Sequence, residues 1–221
     1  MSKRRFLKKF YYAFLLVRKG GIGVLTRLFF SRVYSTITYV WLAKDLDSGE
    51  APGSDRMSFC LQPASREAFK KISARLNEES GQDVFEILRR VSFYERGFDA
   101  CYFASTNSGE VCHMAWLLSA SHNNLIQSQY PPGMSKLEED EVLLENIFTF
   151  PRYRGKGIMT SVTIFLADLA RKQGFRRVMA YVDIENKASL KGFLRAGFYS
   201  YREEKEKRRF FRIWRSGQGG K

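Results

Sequence analysis

The sequence predicts an α/β fold with a basic helical extension at its N-terminus, and three observations support this class. The run Val142–Phe150 has the character of a strand, and a turn rich in glycine and arginine follows it. Apolar residues then recur with the 3.6-residue period of a helix across Met159–Lys172. Residues 1–44 carry ten Lys or Arg side chains and no Asp or Glu.

Length and composition limit the classes of protein to which the chain can belong. At 221 residues, with 44% hydrophobic and 15% aromatic side chains, it suits one globular domain of about 150 residues plus an extension. Its three cysteines, Cys60, Cys101 and Cys112, share no C-x-x-C spacing, which favours a reducing, cytoplasmic compartment over a disulfide framework. With only two histidines, we expect no bound metal. A Ser-His-Asp mechanism lacks any supporting motif.

The basic N-terminal segment has two competing interpretations. Aromatic and aliphatic residues recur near helical spacing from Phe6 to Val17, among lysines and arginines. A basic amphipathic helix within residues 1–30 fits adsorption to an anionic membrane surface. It fits equally well a helix that packs on the protein's own sheet, with its basic side solvated. The apolar run Tyr11–Val17 is too short to span a bilayer, which takes roughly 20 residues. We expect no nucleic-acid partner, because no binding motif accompanies the charge.

Polar stretches rich in Gly and Pro divide the chain into three predicted parts. Residues 1–55 form the extension, which comprises a helix, a short helix, a strand at Val33–Leu42 and a linker from residue 45. Residues 56–215 form the principal domain, and residues 216–221 form a flexible tail.

The principal domain alternates predicted strands and helices. A short strand (Met57–Leu61) precedes two helices (Arg66–Leu76, and Val84–Phe93 with Asp83 as its cap) and a hairpin (Asp99–Ser105 with Val111–Leu118). A long loop (Ser119–Glu139), the strand before the turn, the helix after it and a further strand (Arg177–Val182) follow. A final hairpin pairs Phe198–Arg202 with Phe210–Trp214 across Glu203–Arg209.

The turn Arg152–Ile158 is the predicted anion site. The N–H groups that open a helix have no intrahelical partner, and the helix dipole places partial positive charge at the same end. Gly155 and Gly157 leave the backbone open to close approach by a ligand. The side chains of Arg152, Arg154 and Lys156 add charge around this backbone, and the whole suits a pyrophosphate. The spacing matches neither a P-loop nor the G-x-G-x-x-G dinucleotide fingerprint.

The turn resembles the acetyl-CoA signature of the GNAT N-acetyltransferase superfamily, Gln or Arg-x-x-Gly-x-Gly or Ala, through Arg152, Gly155 and Gly157. A second segment, Asn186-x-x-Ser189-x-x-x-Phe193-x-x-x-Gly197-Phe198, resembles the second conserved block of the family at its usual distance. The resemblance implies a mixed, strongly twisted sheet flanked by helices. It also implies an enzyme that transfers an acetyl group from acetyl-CoA to a primary amine.

The resemblance further implies which residues bind the donor. The turn would hold the pyrophosphate, and the main chain at the end of the preceding strand would pair with pantetheine where that strand splays from its neighbour. The implied cofactor-binding residues are Phe148, Thr149, Phe150, Arg152, Arg154, Gly155, Lys156, Gly157, Ile158, Met159, Asn186, Ser189 and Phe193.

Two carboxylates are candidates for the general base that takes the ammonium proton. Glu145 stands where several amino-sugar acetyltransferases of the superfamily carry a strand carboxylate, and Glu145-Asn146-Ile147 resembles their Glu-Asp-Ile. Glu141 stands where histone-type members place theirs. The two lie four residues apart on one strand and therefore on one face of the sheet.

The general acid is left open by the sequence. Many family members have a Tyr where this chain has Phe193, and Phe cannot protonate the departing thiolate. Tyr181, Tyr199, Tyr201 or solvent would have to replace it.

The acceptor is indicated only by weak features. The Glu-Asn-Ile strand and the basic N-terminus together favour an amino sugar on a nucleotide or lipid carrier, as in surface polysaccharide synthesis. One alternative is transfer of a longer acyl chain, from acyl-CoA or an acidic acyl carrier protein drawn by the net charge of +14, to an amine such as an amino acid. Another is a non-catalytic, membrane-associated module that binds CoA. A peripheral position on the inner face of the membrane and a homodimer fit each of these.

Overall fold

The computed structural model describes residues 34–46, 59–79, 81–129, 136–210 and 212–219. In this part of the chain eight strands form one sheet in the order β2-β3-β4-β5-β6-β1-β7-β8. The strands are β1 Tyr34–Asp45, β2 Phe59–Pro63, β3 Cys101–Thr106, β4 Val111–Ser119, β5 Glu141–Thr149, β6 Arg177–Asp183, β7 Tyr199–Arg209 and β8 Arg212–Gly219. Only the β5–β6 pair is parallel among them, so the predicted mixed sheet flanked by helices is confirmed.

Helices cover both faces of this sheet. They are α1 Arg66–Ala74, α2 Gly81–Glu95, α3 Asn123–Gln129, α4 Ile158–Lys172 and α5 Lys187–Arg195. The apolar sides of α1 and α2 pack into a cluster on one face, around Trp116 and Phe103. The apolar sides of α4 and α5 pack into a second cluster on the opposite face, around Leu42 and Val178. Burial of each large apolar side chain in these clusters stabilises the fold by roughly 1.5–3 kcal/mol.

Strand β1 lies in the interior of the sheet, between β6 and β7. It confirms the strand predicted at Val33–Leu42 and extends it to Asp45. The predicted division of the chain placed this segment in the extension, yet its residues Trp41 and Leu42 belong to the two hydrophobic clusters. The sheet is therefore continuous across the boundary drawn at residue 55.

Other predicted elements are confirmed with shifted ends. Strand β2 replaces Met57–Leu61, and α1 with the 3₁₀ turn Arg75–Glu78 replaces Arg66–Leu76. The β3–β4 hairpin, β6 and α4 lie within one or two residues of their predicted positions. The predicted helices of residues 1–30 and most of the linker after residue 46 lie outside the described residues.

Three local predictions are wrong. Asp83 does not cap α2, which begins at Gly81; it lies in the first helical turn, where its carboxylate accepts a hydrogen bond from Arg154 at 2.6 Å. The predicted loop Ser119–Glu139 contains a 3₁₀ turn and α3. In the C-terminal hairpin, residues 203–209 belong to β7, and β8 runs on to Gly219, through much of the predicted tail. Alternating Glu and Lys side chains resemble a turn in composition, but cross-strand charge pairs make them suitable for a strand.

No helix in the described part of the chain is long and apolar enough to cross a membrane.

Candidate active site

The central feature of the site is the separation of β5 from β6. Their parallel pairing comprises Glu141 with Arg177, Val142 with Val178, and Leu143 with Met179, and it ends there. The rest of β5 continues to pair with β4 on its other side, as far as Thr149. A cleft therefore opens between the two strands at the carboxyl ends of both, which is where open α/β sheets bind ligands.

A bulge in β5 lies at the beginning of this cleft. Asn146 has a φ of 57°, in the left-handed region that Asn tolerates better than most residues. The guanidinium of Arg90, on α2, donates to the carbonyl oxygens of Asn146 at 2.9 Å and Ile147 at 2.8 Å. It also donates to the Glu86 carboxylate at 2.7 Å and lies 4.7 Å from the centroid of the Phe148 ring. Arg90 thus ties α2 to the backbone on which the candidate base stands.

The turn before α4 exposes an open backbone surface. Gly155 and Gly157 have φ values of 76° and 74°, and an added Cβ at either would meet no heavy atom within 4 Å. Gly157 is the N-cap of α4, no side chain caps this end, and the first turn of the helix contains no acidic residue. The helix therefore presents uncompensated partial positive charge beside an open space.

The three cations predicted around this turn have different surroundings. Arg152 pairs with Glu110 at 2.9 Å, and Arg154 pairs with Asp83 at 2.6 Å while donating to the Thr149 carbonyl. Lys156 has its ammonium 5.3 Å from the Tyr153 ring and forms no ion pair with a residue that the structure describes. Lys156 is therefore the predicted cation most ready to meet an anionic ligand.

At the strand end predicted to pair with pantetheine, some main-chain groups already form hydrogen bonds within the protein. The N–H of Phe150 donates to the Cys112 carbonyl at 3.1 Å, and the Thr149 carbonyl accepts from Arg154. Phe148 is opposite Met114 in the β4–β5 pairing, and the centroid of its ring is 4.7 Å from the Arg90 guanidinium and 5.5 Å from that of Arg154. A donor that pairs with this segment would have to use its remaining groups or displace Arg154.

The two candidate bases stand in different parts of β5. Glu145 is half-buried, and it lies two residues past Leu143, where the strands have begun to separate. Glu141 lies in the paired part of the strand, where its carboxylate accepts from the Glu138 N–H at 3.1 Å and approaches Arg177 at 4.0 Å. The cleft therefore favours Glu145, because no gap exists beside Glu141.

Among the three tyrosines, Tyr181 is the one placed at the cleft. It lies two residues past Met179 on β6, so Glu145 and Tyr181 occupy equivalent positions on the diverging strands, on one face of the sheet. The Tyr199 hydroxyl instead donates to Asp45 at 2.6 Å, and this bond raises the pKa of Tyr199. The Tyr201 hydroxyl contacts the Met179 sulfur, and burial raises the pKa of Tyr201.

The second predicted block forms the start and the buried side of α5. The Asn186 side chain caps the helix by accepting from the Ser189 N–H at 3.1 Å. Phe193 is buried with its ring 5.0 Å from that of Phe198, so packing accounts for it. Ile158 and Met159 are half-buried against the same cluster. Their predicted contacts with the donor stay predictions.

Comparison with protein families matches residues 67–198, more than half of the chain, to the Acetyltransferase (GNAT) family. The chain belongs to the GNAT acetyltransferase family. Members of this family take the acyl group from acetyl-CoA, so the chain is a GNAT-type N-acyltransferase. A relative, the uncharacterised N-acetyltransferase MJ1207 of Methanocaldococcus jannaschii, is 27% identical over 161 residues, which cover 67% of this chain and 69% of the relative.

Solved structures of GNAT proteins share the fold. One is the GCN5-related glucosamine N-acetyltransferase region of a fungal multi-domain GH3 β-N-acetylglucosaminidase, with a TM-score of 0.57 at 15% identity over 87% of this chain. Another is a GCN5-related N-acetyltransferase from Sphaerobacter thermophilus, with a TM-score of 0.51 at 14% identity over 84% of this chain. This chain spans 22% and 56% of those two chains, respectively. At such identities the likeness concerns the fold alone.

The residues around the turn fit acetyl-CoA as the donor. The left-handed glycines leave room beside uncapped N–H groups, and Lys156 lies next to them. No group of three or more His, Cys, Asp or Glu side chains within the described ranges could hold a metal ion.

Gly157→Ala is expected to lower the affinity for CoA by more than about tenfold, because a Cβ would occupy the space beside the uncapped N–H groups. Isothermal calorimetry with CoA measures this. The matched control is Gly109→Ala in the β3–β4 turn, where φ is 78° and a Cβ also meets nothing within 4 Å. Both changes should cost about 1 kcal/mol of stability, from the left-handed backbone. Equal CoA affinity in the two variants would show that this turn does not bind the pyrophosphate.

His113 of β4 is a fully buried imidazole behind the site. Its Nδ1 is 2.8 Å from the Thr149 hydroxyl, and burial together with the charge of Arg90 lowers the pKa of His113 to about 3. The unfolded value is about 6.5, so between these pH values only the unfolded chain binds the proton. Stability is therefore lost as pH falls below about 6.5, by about 1.4 kcal/mol per pH unit.

Replacement of the buried His113 imidazole should change how steeply stability depends on pH. His113→Gln should reduce the loss of unfolding free energy between about pH 6.5 and 5 by about 2 kcal/mol, measured by urea denaturation. His122→Gln, which changes the other histidine of the chain, is the control variant. An unchanged slope in His113→Gln would show that the imidazole is protonated in the folded protein.

Arg90 and His113 are two residues of the site that the sequence did not predict. Arg90 shares a helical face with Ile87 and Val91, which are buried, and an arginine on the apolar face of a helix was the available signal. His113 had no comparable signal, because its partner Thr149 is 36 residues away in sequence.

Proposed function

We propose that this GNAT enzyme transfers an acetyl group from acetyl-CoA to the primary amine of an amino sugar carried on a nucleotide or lipid. The observation that carries the catalytic part is the position of Glu145 at the opening of the β5–β6 cleft, opposite Tyr181. The amino-sugar part rests on Glu145-Asn146-Ile147, which resembles the corresponding strand of amino-sugar acetyltransferases. The carrier part rests on the basic, aromatic N-terminal segment, which suits work beside a membrane in the cytoplasm.

The proposed mechanism assigns one task to each part of the cleft. The backbone of residues 154–158 and Lys156 bind the pyrophosphate, which places the thioester between the diverging strands. Glu145 accepts the ammonium proton, directly or through water, and the free amine attacks the thioester carbonyl. Tyr181 donates a proton to the departing thiolate, the task for which Phe193 has no group, and the second proton that the nitrogen loses as the amide forms restores the phenol. Arg90 holds the bulge that orients Glu145.

The test is acetyl-CoA turnover against a panel of amines, with the released CoA thiol as the readout. The panel holds UDP-linked amino sugars, free amino sugars, polyamines, amino acids and lysine peptides. Rapid turnover confined to the nucleotide-linked amino sugars is the expected result. Turnover of another class of amine would contradict the proposed acceptor but would still support an N-acyltransferase.

Absence of turnover with every amine of the panel would contradict the proposal. If CoA still bound tightly, the two alternatives would be tested next. A longer acyl donor or an acidic acyl carrier protein is favoured by the net charge of +14. A CoA-binding module without catalysis would show no turnover with any donor.

A further inference from the structure

The β7 strand sorts its charged residues onto two faces. Arg202, Glu204, Glu206 and Arg208 alternate with Glu203, Lys205, Lys207 and Arg209 along the strand. Because successive side chains of a strand point to opposite faces, the first set lies on one face and the second on the other. The two faces differ in burial, since Glu204 and Glu206 are 3% and 1% exposed whereas Lys205, Lys207 and Arg209 are exposed.

The buried face is neutralised internally. Glu206 pairs with Arg208 at 2.6 Å and with Arg215 of β8 at 2.8 Å. Glu204 pairs with Arg202 at 2.7 Å and accepts from the Trp41 indole N–H at 3.1 Å. Two of the three acidic residues of this strand therefore form ion pairs on the buried face. The basic residues of the other face have no such partners among the described residues.

The exposed face combines cations with large aromatic side chains. We call it the basic-aromatic face; it spans β1, β7 and β8, and its cations and aromatic residues are Tyr34, Lys205, Lys207, Arg209, Arg212 and Trp214. Glu203 is the acidic residue of β7 that shares this face. Tyr34 is 66% exposed and Trp214 is 50% exposed. The pairing places Tyr34 and Arg212 on either side of Arg209, and Trp214 beside Lys207. These neighbours share one face because directly paired residues of a sheet point the same way.

Phe210, at the turn between β7 and β8, lies at the end of this face in a backbone conformation that is unfavourable for folding. It is 79% exposed, and its φ is 47°, in the left-handed region. A bulky aromatic residue there costs about 1 kcal/mol or more, and Gly or Asn would serve the turn better. Because the residue is mostly exposed, burial offsets little of this cost. A strained residue without a packing reason points to a function outside the fold.

Strand β1 begins at the same end of the sheet. Tyr34 opens β1 and is opposite Arg209, the last residue of β7. The residues before it include nine lysines or arginines and no acidic residue. The sequence that leads into β1 is therefore basic, and β1 itself begins beside the strand end that precedes Phe210.

We propose that the basic-aromatic face and the β7–β8 turn dock the enzyme on an anionic phospholipid membrane, with Phe210 and Trp214 at the level of the headgroups. Exposed aromatic residues favour this interfacial layer, where one side of the ring is apolar and the other is wet. Cations near the surface of an anionic leaflet attract it, and aromatic and electrostatic contributions together are needed for stable anchoring. The inference rests on this surface and does not depend on the identity of the acceptor.

A membrane fits this surface better than a nucleic acid does. Single-stranded nucleic acids are bound in a groove where successive bases stack along a line of aromatic residues. Here Phe210, the most exposed large apolar side chain among the described residues, lies at the turn between the last two strands of the sheet rather than within a line of aromatic residues. β8 is the outermost strand of the described sheet.

The experiment is co-sedimentation of the full-length protein with vesicles of phosphatidylcholine alone or mixed equally with phosphatidylserine. Lys205→Gln with Lys207→Gln should weaken binding to the anionic vesicles by more than about tenfold, at roughly fivefold per cation. The matched control is Lys70→Gln with Lys71→Gln, which removes the same charge from exposed positions of α1, and it should bind as the wild type does.

A second variant tests how much the Phe210 ring contributes to vesicle binding, without destabilising the fold. Phe210→Asn suits the left-handed φ, so we expect an unchanged or higher thermal midpoint together with vesicle binding weakened by about fivefold. Turnover of a soluble amine should be unchanged in all three variants, which separates this inference from the proposed reaction. Failure of the wild type to bind vesicles would overturn the inference. So would equal losses in both lysine pairs, or tighter binding to a single-stranded oligonucleotide than to vesicles.

Discussion

Glu145→Gln is expected to lower kcat by about 100- to 10,000-fold and to leave the KM for acetyl-CoA nearly unchanged. Gln preserves the size of the side chain but cannot accept the proton of the acceptor ammonium. The turn before α4, which would hold the pyrophosphate, is untouched by the change. Initial rates of CoA release, with the amine that the panel identifies, measure both constants.

The pH dependence distinguishes a lost base from a misplaced substrate. An amine that is already neutral needs no base, so the rate of Glu145→Gln should recover as the pH approaches the pKa of the acceptor amine. A variant that merely mispositions its substrate would stay slow at every pH. Tyr181→Phe, in the same measurement, should affect the alkaline limb of the profile if Tyr181 is the general acid.

Glu141→Gln is the matched control, with the same isosteric change on the same strand and face. Its carboxylate bonds the Glu138 N–H and approaches Arg177, so a small loss of stability is expected and turnover should fall less than about threefold. The opposite pattern, with Glu141→Gln slow and Glu145→Gln near normal, would reverse the assignment of the base.

Arg90→Met is expected to lower the free energy of unfolding by about 2–4 kcal/mol, the largest stability effect that we predict. The side chain is 8% exposed and forms four hydrogen bonds shorter than 3 Å, three of them to main-chain carbonyls. Met retains the length of the side chain but donates no hydrogen bond to the bulge carbonyls or to Glu86. Urea denaturation measures the difference.

Arg89→Met is the control for this prediction. Arg89 is the neighbouring residue of α2 and also approaches Glu86, at 3.4 Å, but its side chain is 55% exposed. An exposed pair of this kind contributes little, so the variant should remain within about 0.5 kcal/mol of the wild type. Similar unfolding midpoints for the two variants would show that the bulge does not need Arg90.

Arg90→Lys distinguishes the charge from the geometry of the guanidinium. Lys retains the positive charge but cannot donate to Asn146 and Ile147 through a fixed fork. The Glu145 carboxylate and Arg90 attract each other electrostatically, so Arg90→Lys should keep part of this attraction while loosening the bulge. We therefore expect intermediate stability together with a reduced kcat.

The hairpin β3–β4, the helix α4 and the turn before it could be predicted because their signals are local. Apolar periodicity, glycines at left-handed positions and the spacing of Arg152, Gly155 and Gly157 all lie within short windows of the chain. The same local signals failed for residues 203–209. Their partners, β1 and β8, make a strand of a charged sequence that resembles a turn.

The sequence by itself determined the α/β class, the family and the candidate anion site, since each depends on residues that are close together along the chain. The tertiary structure alone decided that β1 lies inside the sheet, that the cleft begins beside Glu145 rather than Glu141, and that Arg90 supports it. These features depend on strand register and on contacts between distant segments, such as Arg90 with Ile147, 57 residues apart. Register is set by the packing of the whole sheet, which no single window of sequence contains.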